Sequence, residues 1–317
     1  NPKELTVINA VAQDKEYDGG TSASIANAEL YGVVTGDAVS LESAGTGTFG
    51  QAGVGTDIPV STSMTLSGGD DAANYTLIQP ANLKADITPR PLTVAAPVYT
   101  ATKVYDRTTV AGITVGSLSG VAGSDDVSVI ASANFDNAQV GSNKTITVSY
   151  SLQGSDVANY TAPAGGVLTT AGEITQRPLT ISGSFDAIDK VYNRTSSASI
   201  NNVKLQLVSV IPGDNVTLKA IASFADKLVG NNKPVNLASS ILEGTDAGNY
   251  MLTFDTAPSL SADITPKALT VTGAAAQDKT YDGTPGATIT VSALNGAISG
   301  DDVTLDALVG TLSQSDA

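Results

Sequence analysis

The segment DKEYDG at residues 14–19 decides how the rest of the sequence is interpreted, because variants of it return further along the chain. The variants are ATKVYDR (101–107), IDKVYNR (188–194) and QDKTYDG (277–283). Their tyrosines, which are 88, 87 and 89 residues apart, are Tyr17, Tyr105, Tyr192 and Tyr281. A constant period of this length predicts a tandem array of one structural unit.

Three more markers recur at the same period and in the same order. An aspartate after Gly or Ser stands at Asp37, Asp125, Asp214 and Asp301, and an Asn-Tyr pair stands at Asn74–Tyr75, Asn159–Tyr160 and Asn249–Tyr250. Each complete copy closes on a similar segment: ADITPRPLTV (85–94), GEITQRPLTI (172–181) or ADITPKALTV (262–271). The markers predict three complete domains and the first half of a fourth, called repeats 1 to 4 below: 1–89, 90–176, 177–266 and 267–317.

Within each copy the apolar residues alternate with polar ones. KTITVSYSL (144–152) shows this pattern, and so do the segments that follow the recurring aspartates, such as DDVTL (301–305). Alternation over four to eight residues is typical of a half-buried β-strand. About seven such segments in a copy of this length predict a small all-β sandwich.

Two details refine the prediction to tandem immunoglobulin-like sandwiches in a semi-rigid rod. The Asn-Tyr pairs lie in segments of the form D-x-[AG]-x-Y, which surrounds the tyrosine corner of immunoglobulin domains. The junction between repeats 1 and 2 carries Pro89 and Pro91 without a flexible Gly/Ser spacer. Because proline restricts its own backbone and that of the preceding residue, the linkers should be stiff.

The composition excludes several classes of protein. The 317 residues carry a net charge of −15, which argues against a nucleic-acid partner, and no apolar run is long enough to insert into a membrane. Cysteine and histidine are absent, so disulfides, thiolate zinc sites and Ser-His-Asp triads are impossible. The candidate acids recur with the repeat period, as scaffold residues do, so we expect no enzymatic activity and no obligatory cofactor.

The loop after each recurring tyrosine is predicted to be structural. The next residue is an Asp in three copies and Asn193 in the other, and the two interchange when the side chain only caps a turn. The residue after that is Gly in two copies, but it is Arg107 or Arg194 in the other two. The arginines predict that no positive φ is required there. The tyrosines themselves are predicted to anchor the core: Tyr17, Tyr105, Tyr192, Tyr281, Tyr75, Tyr160 and Tyr250.

A lysine precedes the tyrosine by two residues in every copy, and it has two interpretations. Its stem lies along apolar surface with the ammonium near a carboxylate, or the lysine forms a covalent amide with an asparagine on a late strand, as in some cysteine-free surface proteins. The candidate pairs for such a crosslink are Lys15 and Asn74, Lys103 and Asn159, and Lys190 and Asn249.

Calcium is a second alternative for the recurring acids. Clustered carboxylates at turns can supply the six to eight oxygen ligands that this ion takes. The candidates are Asp37, Asp125, Asp126, Asp214, Asp301 and Asp302. A Gly-Asp turn that starts a strand needs no metal, and both interpretations stay open at this point.

Taken together, the motifs Lys-x-Tyr-Asp-Gly, Gly-Asp-Asp, Asn-Tyr-Thr-Leu and Ile-Thr-Pro-Arg-Pro-Leu-Thr-Val resemble those of the YDG-type repeat. This bacterial immunoglobulin-like module is found in large secreted exoproteins similar to filamentous haemagglutinin. The resemblance covers essentially the whole chain, and the departures are Arg107, Arg194, Asn193 and Ala268.

The resemblance implies a function as well as a fold. It implies a secreted or cell-surface bacterial protein, whose repeats form the stalk of an adhesin in attachment and biofilm formation. The expected partners are further repeats of the same longer chain, with extracellular polysaccharide or neighbouring adhesin chains as additional candidates. The alternative is that the repeats themselves bind polysaccharide or a protein. An aromatic content of 5% without tryptophan counts against that alternative.

Overall fold

The computed structural model describes residues 1–291, 293–306 and 309–313. In this part of the chain the fold is all-β, and helix is limited to α1 (Gly69–Ala72) and two 3-10 turns at Val157–Asn159 and Ala247–Asn249. The chain divides into two compact units, which are described separately. The first combines Asn1–Lys103 with Thr108–Ile174, and the second combines Val104–Arg107 with Thr175–Ala317.

Repeat 1 lies in the first unit and is built from eleven strands. They are β1 (Lys3–Ile8), β2 (Val11–Ala12), β3 (Lys15–Glu16), β4 (Ser22–Ala26), β5 (Glu29–Tyr31), β6 (Ser40–Glu42), β7 (Thr46–Phe49), β8 (Gly55–Ser61), β9 (Thr65–Ser67), β10 (Tyr75–Ile78) and β11 (Lys84–Thr88). The hydrogen-bonded orders are β10-β1-β5, β2-β4-β7-β8-β11-β3 and β6-β9.

Repeat 2 follows with shorter strands at its start and two long strands in its centre. Its strands are β12 (Arg90–Pro91), β13 (Thr93–Val94), β14 (Val98–Tyr99), β15 (Thr102–Val104), β16 (Val110–Ala111), β17 (Ile113–Thr114), β18 (Leu118–Ser119), β19 (Ser128–Phe135), β20 (Gly141–Gln153), β21 (Tyr160–Thr161) and β22 (Gly166–Thr175). The largest sheet has the order β15-β22-β20-β19-β16, and the pairs β12-β21, β13-β18 and β14-β17 complete the repeat.

The second unit contains repeat 3 and the described part of repeat 4. Its strands are β23 (Arg177–Ser182), β24 (Asp186–Ile188), β25 (Lys190–Val191), β26 (Ser199–Asn201), β27 (Gln206–Val208), β28 (Thr217–Lys219), β29 (Ser223–Phe224), β30 (Gly230–Asn236), β31 (Ile241–Glu243), β32 (Tyr250–Leu252), β33 (Leu260–Thr265), β34 (Thr270–Thr272), β35 (Ala275–Ala276), β36 (Gly286–Thr290), β37 (Ala293–Asn295) and β38 (Val309–Thr311). Repeat 3 has the orders β27-β23-β32, β25-β33-β30-β29, β24-β26 and β28-β31. Repeat 4 has β34-β37 and β35-β36-β38, and the strand predicted at 301–305 is absent from the described residues.

The predicted alternation is present where the strands are long. In β20 the buried residues are Lys144, Ile146 and Val148, and the residues between them are less buried. Because successive side chains of a strand point to opposite faces, this pattern places one face of the sheet against the core. Cores of the same kind occupy both units, with Phe49 and Ile87 in the first and Phe224 and Ile264 in the second.

The first and last strands of a repeat are held by parallel neighbours. In repeat 1, β1 pairs with β10 in parallel and β3 pairs with β11 in parallel. Repeat 3 has the same arrangement, since β23 pairs with β32 and β25 pairs with β33. These two pairings place the Asn-Tyr tyrosine beside the first strand and the YDG tyrosine at the end of the last strand.

Two isoleucines on neighbouring strands test where the core lies. Ile146 of β20 is fully buried, whereas Ile130 of β19 is 41% exposed. We expect Ile146→Ala to lower the free energy of unfolding by about 2–5 kcal/mol, because it removes buried methyl groups and leaves a cavity. Ile130→Ala should cost less than about 1 kcal/mol. Denaturant unfolding of both variants measures this, and equal losses would contradict the assigned faces.

Candidate functional site

The YDG tyrosines are fixed where the last strand of their repeat ends. The backbone N–H of Tyr17 donates to the carbonyl oxygen of Thr88 at 2.9 Å. Tyr105 makes the same bond to Thr175 at 2.9 Å, and Tyr192 makes it to Thr265 at 2.8 Å. This bond extends the parallel pairing by one residue and directs each tyrosine side chain beyond the end of its own repeat.

The Tyr17 hydroxyl bonds to an aspartate of the following repeat. It donates to Oδ2 of Asp125 at 2.8 Å, and the hydroxyl of Tyr160 donates to the same oxygen at 2.6 Å. The Tyr160 oxygen in turn accepts the backbone N–H of Ala122 at 2.8 Å. The two tyrosine rings meet edge to face, with centroids 5.4 Å apart. We call this set of a YDG tyrosine, a shared aspartate and an Asn-Tyr tyrosine a joint.

The second unit contains the same arrangement. Tyr105 donates to Oδ2 of Asp214 at 3.0 Å, Tyr250 donates to the same oxygen, and the two rings are again 5.4 Å apart. Tyr192 donates to Asp301 at 3.1 Å. The YDG tyrosine thus meets the recurring aspartate of the next copy, 108 or 109 residues away, rather than that of its own copy.

The joint lies in a continuous apolar core within the first unit. Tyr17 is 6% exposed and packs in one cluster with Phe49 and Ile87 of repeat 1 and with Leu92 and Ala122 of repeat 2. The apolar packing buries the rings of Tyr17 and Tyr160, and their hydroxyls satisfy the half-buried carboxylate of Asp125. The joint therefore combines a hydrophobic contact with a specific polar one.

Burial beside a carboxylate keeps these tyrosines protonated. The hydrogen bond to Asp125, together with burial, raises the pKa of Tyr17 to about 12. Burial and the hydrogen bond to Asp214 raise the pKa of Tyr105 to about 12. The same two causes raise the pKa of Tyr192 above its ordinary value, with Asp301 as the acceptor. In each case the neutral hydroxyl is the form that donates.

The sequence interpretation of the YDG glycine is wrong in one respect. All four copies place the residue after the Asp or Asn at positive φ: Gly19 at 81°, Arg107 at 68°, Arg194 at 68° and Gly283 at 74°. The left-handed conformation costs a residue with a Cβ about 1–2 kcal/mol, so the arginines are strained. Both arginines gain contacts that offset this strain.

Arg107 and Arg194 each reach the aspartate that accepts the hydroxyl of the YDG tyrosine in their own loop. Nε of Arg107 lies 3.3 Å from Oδ1 of Asp214, whose side chain is 2% exposed, and its NH1 donates to the carbonyl of Pro212 at 2.8 Å. Arg194 makes the corresponding contacts with Asp301, at 3.6 Å, and with the carbonyl of Ser299. A cation beside a buried carboxylate compensates part of its lost hydration.

The residue before the recurring aspartate is a glycine where the YDG loop that packs against it carries an arginine. Gly213 and Gly300 face Arg107 and Arg194, and a Cβ at either glycine would lie within 2.3 Å of a guanidinium nitrogen. Where the loop carries Gly19 instead, the corresponding residue is Ser124. Sequence reasoning missed these arginines and glycines. The sequence does carry a signal for them. A copy with Arg at the YDG glycine position is followed by a copy with Gly-Asp, whereas the copy with Gly19 is followed by one with Ser-Asp.

The recurring lysines close the YDG loop. Nζ of Lys15 donates to Asp18 and to the carbonyl of Gly20, each at 2.7 Å, and lies over the Phe49 ring. Lys190 similarly contacts Asn193 at 2.9 Å and lies over the Phe224 ring. Lys103 donates to Thr108 and Val110, and Lys279 donates to Asp282 and Thr284. Asp18 Oδ1 also accepts the N–H of Gly20 at 2.9 Å, as predicted for a side chain that caps a turn.

The asparagines proposed for a crosslink lie at the start of the Asn-Tyr strand. Asn74 is exposed and directs its amide at the carbonyl of Asp70. Asn159 accepts the backbone N–H of Val54 at 3.0 Å, so it adds a contact between repeats 1 and 2, and Asn249 is buried. The contacts described for the lysines are with their own loops. The crosslink between lysine and asparagine stays a prediction.

Five of the six acids proposed as calcium ligands are engaged with protein groups. Asp37 accepts the hydroxyl of Tyr75 at 2.7 Å, and Asp126 accepts the N–H of Ser155 at 3.2 Å. Asp125 and Asp214 belong to the joints, Asp301 accepts the hydroxyl of Tyr192, and Asp302 is exposed. Among the described residues, no group of three or more acidic side chains is placed to hold a metal ion. Calcium binding stays a prediction.

Six of the seven tyrosines predicted as core anchors are buried or half-buried, and Tyr281 is not. Tyr281 is 91% exposed. Tyr75, the Asn-Tyr tyrosine of repeat 1, differs from the predicted tyrosine corner. Its hydroxyl accepts the N–H of Val34 at 3.1 Å. That partner is 41 residues upstream, unlike the nearby backbone partner in the tyrosine corner of immunoglobulin domains.

Comparison with known families agrees with the recurring motifs. The profile of the YDG domain matches four times, at residues 1–83, 88–166, 175–259 and 265–317. The chain belongs to the YDG domain family. No curated protein and no solved structure shows significant similarity to this YDG protein. The described part of the chain contains no helix with the length and apolar character needed to cross a bilayer.

The hydroxyl contact of the first joint can be tested without disturbing the packing. Tyr17→Phe keeps the ring but removes the donor to Asp125, so it should lower the free energy of unfolding by about 1–3 kcal/mol. Tyr281→Phe is the matched control and should change it by less than about 0.5 kcal/mol, because that side chain is exposed. Denaturant unfolding measures the loss of free energy in both variants, and equal losses would contradict the hydrogen bond between Tyr17 and Asp125.

Two substitutions at Arg107 separate its contacts from its strain. Arg107→Ala loses the ion pair but keeps a Cβ at positive φ, and we expect a loss of about 1–2 kcal/mol in unfolding free energy. Arg107→Gly loses the same contacts but removes the strain, so it should be more stable than the alanine variant by about 1 kcal/mol. Denaturant unfolding measures the free energies of both variants, and equal values would show that the backbone of Arg107 is not strained.

The raised tyrosine pKa values predict loss of stability in alkali. An unfolded tyrosine ionises near pH 10, whereas Tyr17 and Tyr105 hold their protons up to a pKa of about 12. The unfolded state therefore releases protons first, so the stabilisation is complete below about pH 10 and is lost as the pH rises through 12. Tyrosinate absorbance and circular dichroism, followed together, should show the late-ionising tyrosines titrating with unfolding. Ionisation of all tyrosines near pH 10 in a folded chain would contradict this.

Proposed function

We propose that this YDG protein is a mechanical spacer: a rod of immunoglobulin-like repeats in the stalk of a secreted or surface-bound bacterial adhesin. In this proposal the repeats hold a binding element away from the cell and carry tension, in attachment or biofilm formation. They have no enzymatic role. The observation that carries the proposal is the joint, in which a tyrosine at the end of one repeat shares a carboxylate with a tyrosine of the next.

The direction of the strands supports the proposal. When a repeat is pulled from its two ends, the tension acts along β1 and β11, whose parallel neighbours are β10 and β3. The hydrogen bonds of both pairs then bear load in shear, so several must break together. The joint lies on the same path, because Tyr17 is bonded to the carbonyl of Thr88 at the end of β11.

The surface chemistry gives less support to a repeat that binds polysaccharide. Sugar sites use exposed aromatic rings, and the described large hydrophobic residues that are exposed include only two aromatic ones, Tyr31 and Tyr281. These two lie in repeats 1 and 4, at positions that do not correspond to each other. No row of rings is therefore repeated along the chain.

Single-molecule pulling tests the spacer. The chain contains no cysteine, so one cysteine added at each end gives unique attachment points. We expect discrete unfolding events that each release about 300 Å, the extended length of one repeat. The control carries Ser128→Cys and Gln153→Cys, which lie opposite each other on β19 and β20, so that pulling opens this pair one bond at a time.

The end-attached chain should break at a clearly higher force than the control. Shear across the terminal strands loads their hydrogen bonds together, whereas the control loads them in succession. Equal breaking forces in the two geometries would overturn the load-bearing proposal.

A further inference from the structure

Among the described residues, the contacts between a YDG loop and the recurring aspartate of the next copy fall into two classes. In the first class Gly19 faces repeat 2, and a Cβ built on Gly19 would lie 3.8 Å from the Cβ of Ala122. In the second class an arginine, Arg107 or Arg194, extends from the same position of the loop to the aspartate. Since every copy has the same tyrosine and the same aspartate, those two side chains alone do not distinguish one neighbour from another.

The turn before the aspartate has a different form in the two classes. In repeat 2 the N–H of Asp125 closes the turn on the carbonyl of Ala122 at 3.1 Å, and the first of the two central residues, Gly123, is the one with positive φ, at 53°. In repeat 3 the corresponding turn ends at Asp214, and its second central residue, Gly213, is the one with positive φ, at 93°. Positive φ at the first central residue alone is typical of a type II′ turn, and at the second alone of a type II turn.

The two turn forms direct the carbonyl of their central peptide to opposite sides, because types II and II′ are mirror images. In repeat 3 this carbonyl belongs to Pro212 and accepts NH1 of Arg107 at 2.8 Å. In repeat 4 it belongs to Ser299, which accepts NH1 of Arg194 and precedes Gly300 at φ of 92°. The type II turn thus offers the arginine a second acceptor in addition to the carboxylate.

The carboxylates differ in burial along with the turns. The side chain of Asp214, which meets an arginine, is 2% exposed, and that of Asp301, which also meets an arginine, is 18% exposed. Asp125, which meets a glycine, is half-buried. A deeply buried carboxylate loses more hydration, so a cation beside it compensates a larger cost. The loop residue and the form of the turn therefore vary together.

We infer that the loop residue and the turn form a matched pair that determines which repeat is accepted as the following neighbour. An arginine loop fits a type II turn, and a glycine loop fits the type II′ turn of repeat 2. An arginine loop on a type II′ turn keeps its strained backbone but loses the turn carbonyl. A glycine loop on a type II turn leaves a buried carboxylate without its cation. Specificity arises from these penalties on wrong pairs as well as from the contacts of the right ones.

The matched pair gives a chain of similar repeats a defined order. Wrong assembly between domains is a characteristic failure of repeat proteins, and the shared tyrosine and aspartate do nothing to prevent it. The loop and the turn discriminate against a repeat from elsewhere in the chain, or from another chain, whose turn has the other form. This inference goes beyond the spacer function, because a rod can bear load whether or not its repeats are interchangeable.

Exchanging the turn at Asp125 tests the inference in the full chain. Gly123→Ser together with Ser124→Gly converts the turn of repeat 2 into the Ser-Gly-Asp sequence found in repeat 4. Gly19→Arg introduces the arginine loop, and the matched control Gly19→Ala introduces a Cβ at positive φ without a guanidinium. Denaturant unfolding gives the unfolding equilibrium constants of the wild type, of each change alone and of each Gly19 variant on the exchanged turn.

The exchanged turn should rescue the arginine variant and not the alanine variant. On the original turn both Gly19 variants should raise the unfolding constant by about tenfold, because φ of 81° strains a residue that has a Cβ. On the exchanged turn Gly19→Arg should recover about tenfold, since the guanidinium then reaches a turn carbonyl as well as Asp125. Gly19→Ala should recover nothing. Effects of loop and turn that multiply independently for arginine would overturn the inference.

The joint at Asp214 provides a reciprocal measurement that does not depend on the exchanged turn. Gly213→Ala should raise the unfolding constant for two reasons: it strains the turn, and its Cβ displaces the guanidinium of Arg107. In an Arg107→Gly background only the strain remains, so the same change should cost about tenfold less. An equal cost in both backgrounds would overturn the matched pair. That result leaves the pulling experiment unaffected, because pulling tests the spacer separately.

Discussion

One carboxylate shared by two tyrosine hydroxyls is the contact on which the packing of repeat 1 against repeat 2 depends. Removing a carboxylate from water is costly unless hydrogen bonds satisfy it, and two phenol donors from different repeats satisfy the half-buried Asp125. The charge therefore fixes how the repeats meet, because a rotated or shifted neighbour would leave the carboxylate with a single donor. The apolar surface around Tyr17 supplies most of the burial, and the hydroxyl supplies the specificity.

The two joints satisfy their shared carboxylates with different residues. At Asp214 the guanidinium of Arg107 adds a positive charge to the two hydroxyls, at the cost of a strained backbone at Arg107, and a Cβ at Gly213 would displace this guanidinium. At Asp125 the loop has an unstrained Gly19, and the carboxylate is satisfied by hydroxyls alone. This exchange explains why the YDG glycine varies among copies although its conformation does not.

The sequence predicted the period, the all-β fold and most of the buried tyrosines, because these depend on local alternation and on motifs that recur. It did not predict the joint. The recurring aspartate lies 20 or 22 residues after the YDG tyrosine within a copy and 108 or 109 residues after it in the next copy, and spacing alone cannot choose between them. The calcium and crosslink hypotheses treated each marker within its own repeat. Only the direction of the tyrosine beyond β11 shows that the partner is Asp125 rather than Asp37.

A double-mutant cycle between Tyr17→Phe and Asp125→Asn tests most directly whether the two side chains hold neighbouring repeats together. Unfolding free energies of the wild type, both single variants and the double variant give the coupling between residues 108 positions apart. Direct contact predicts a coupling energy of about 1–3 kcal/mol. Effects that add within about 0.5 kcal/mol would contradict the joint, because independent sites are additive.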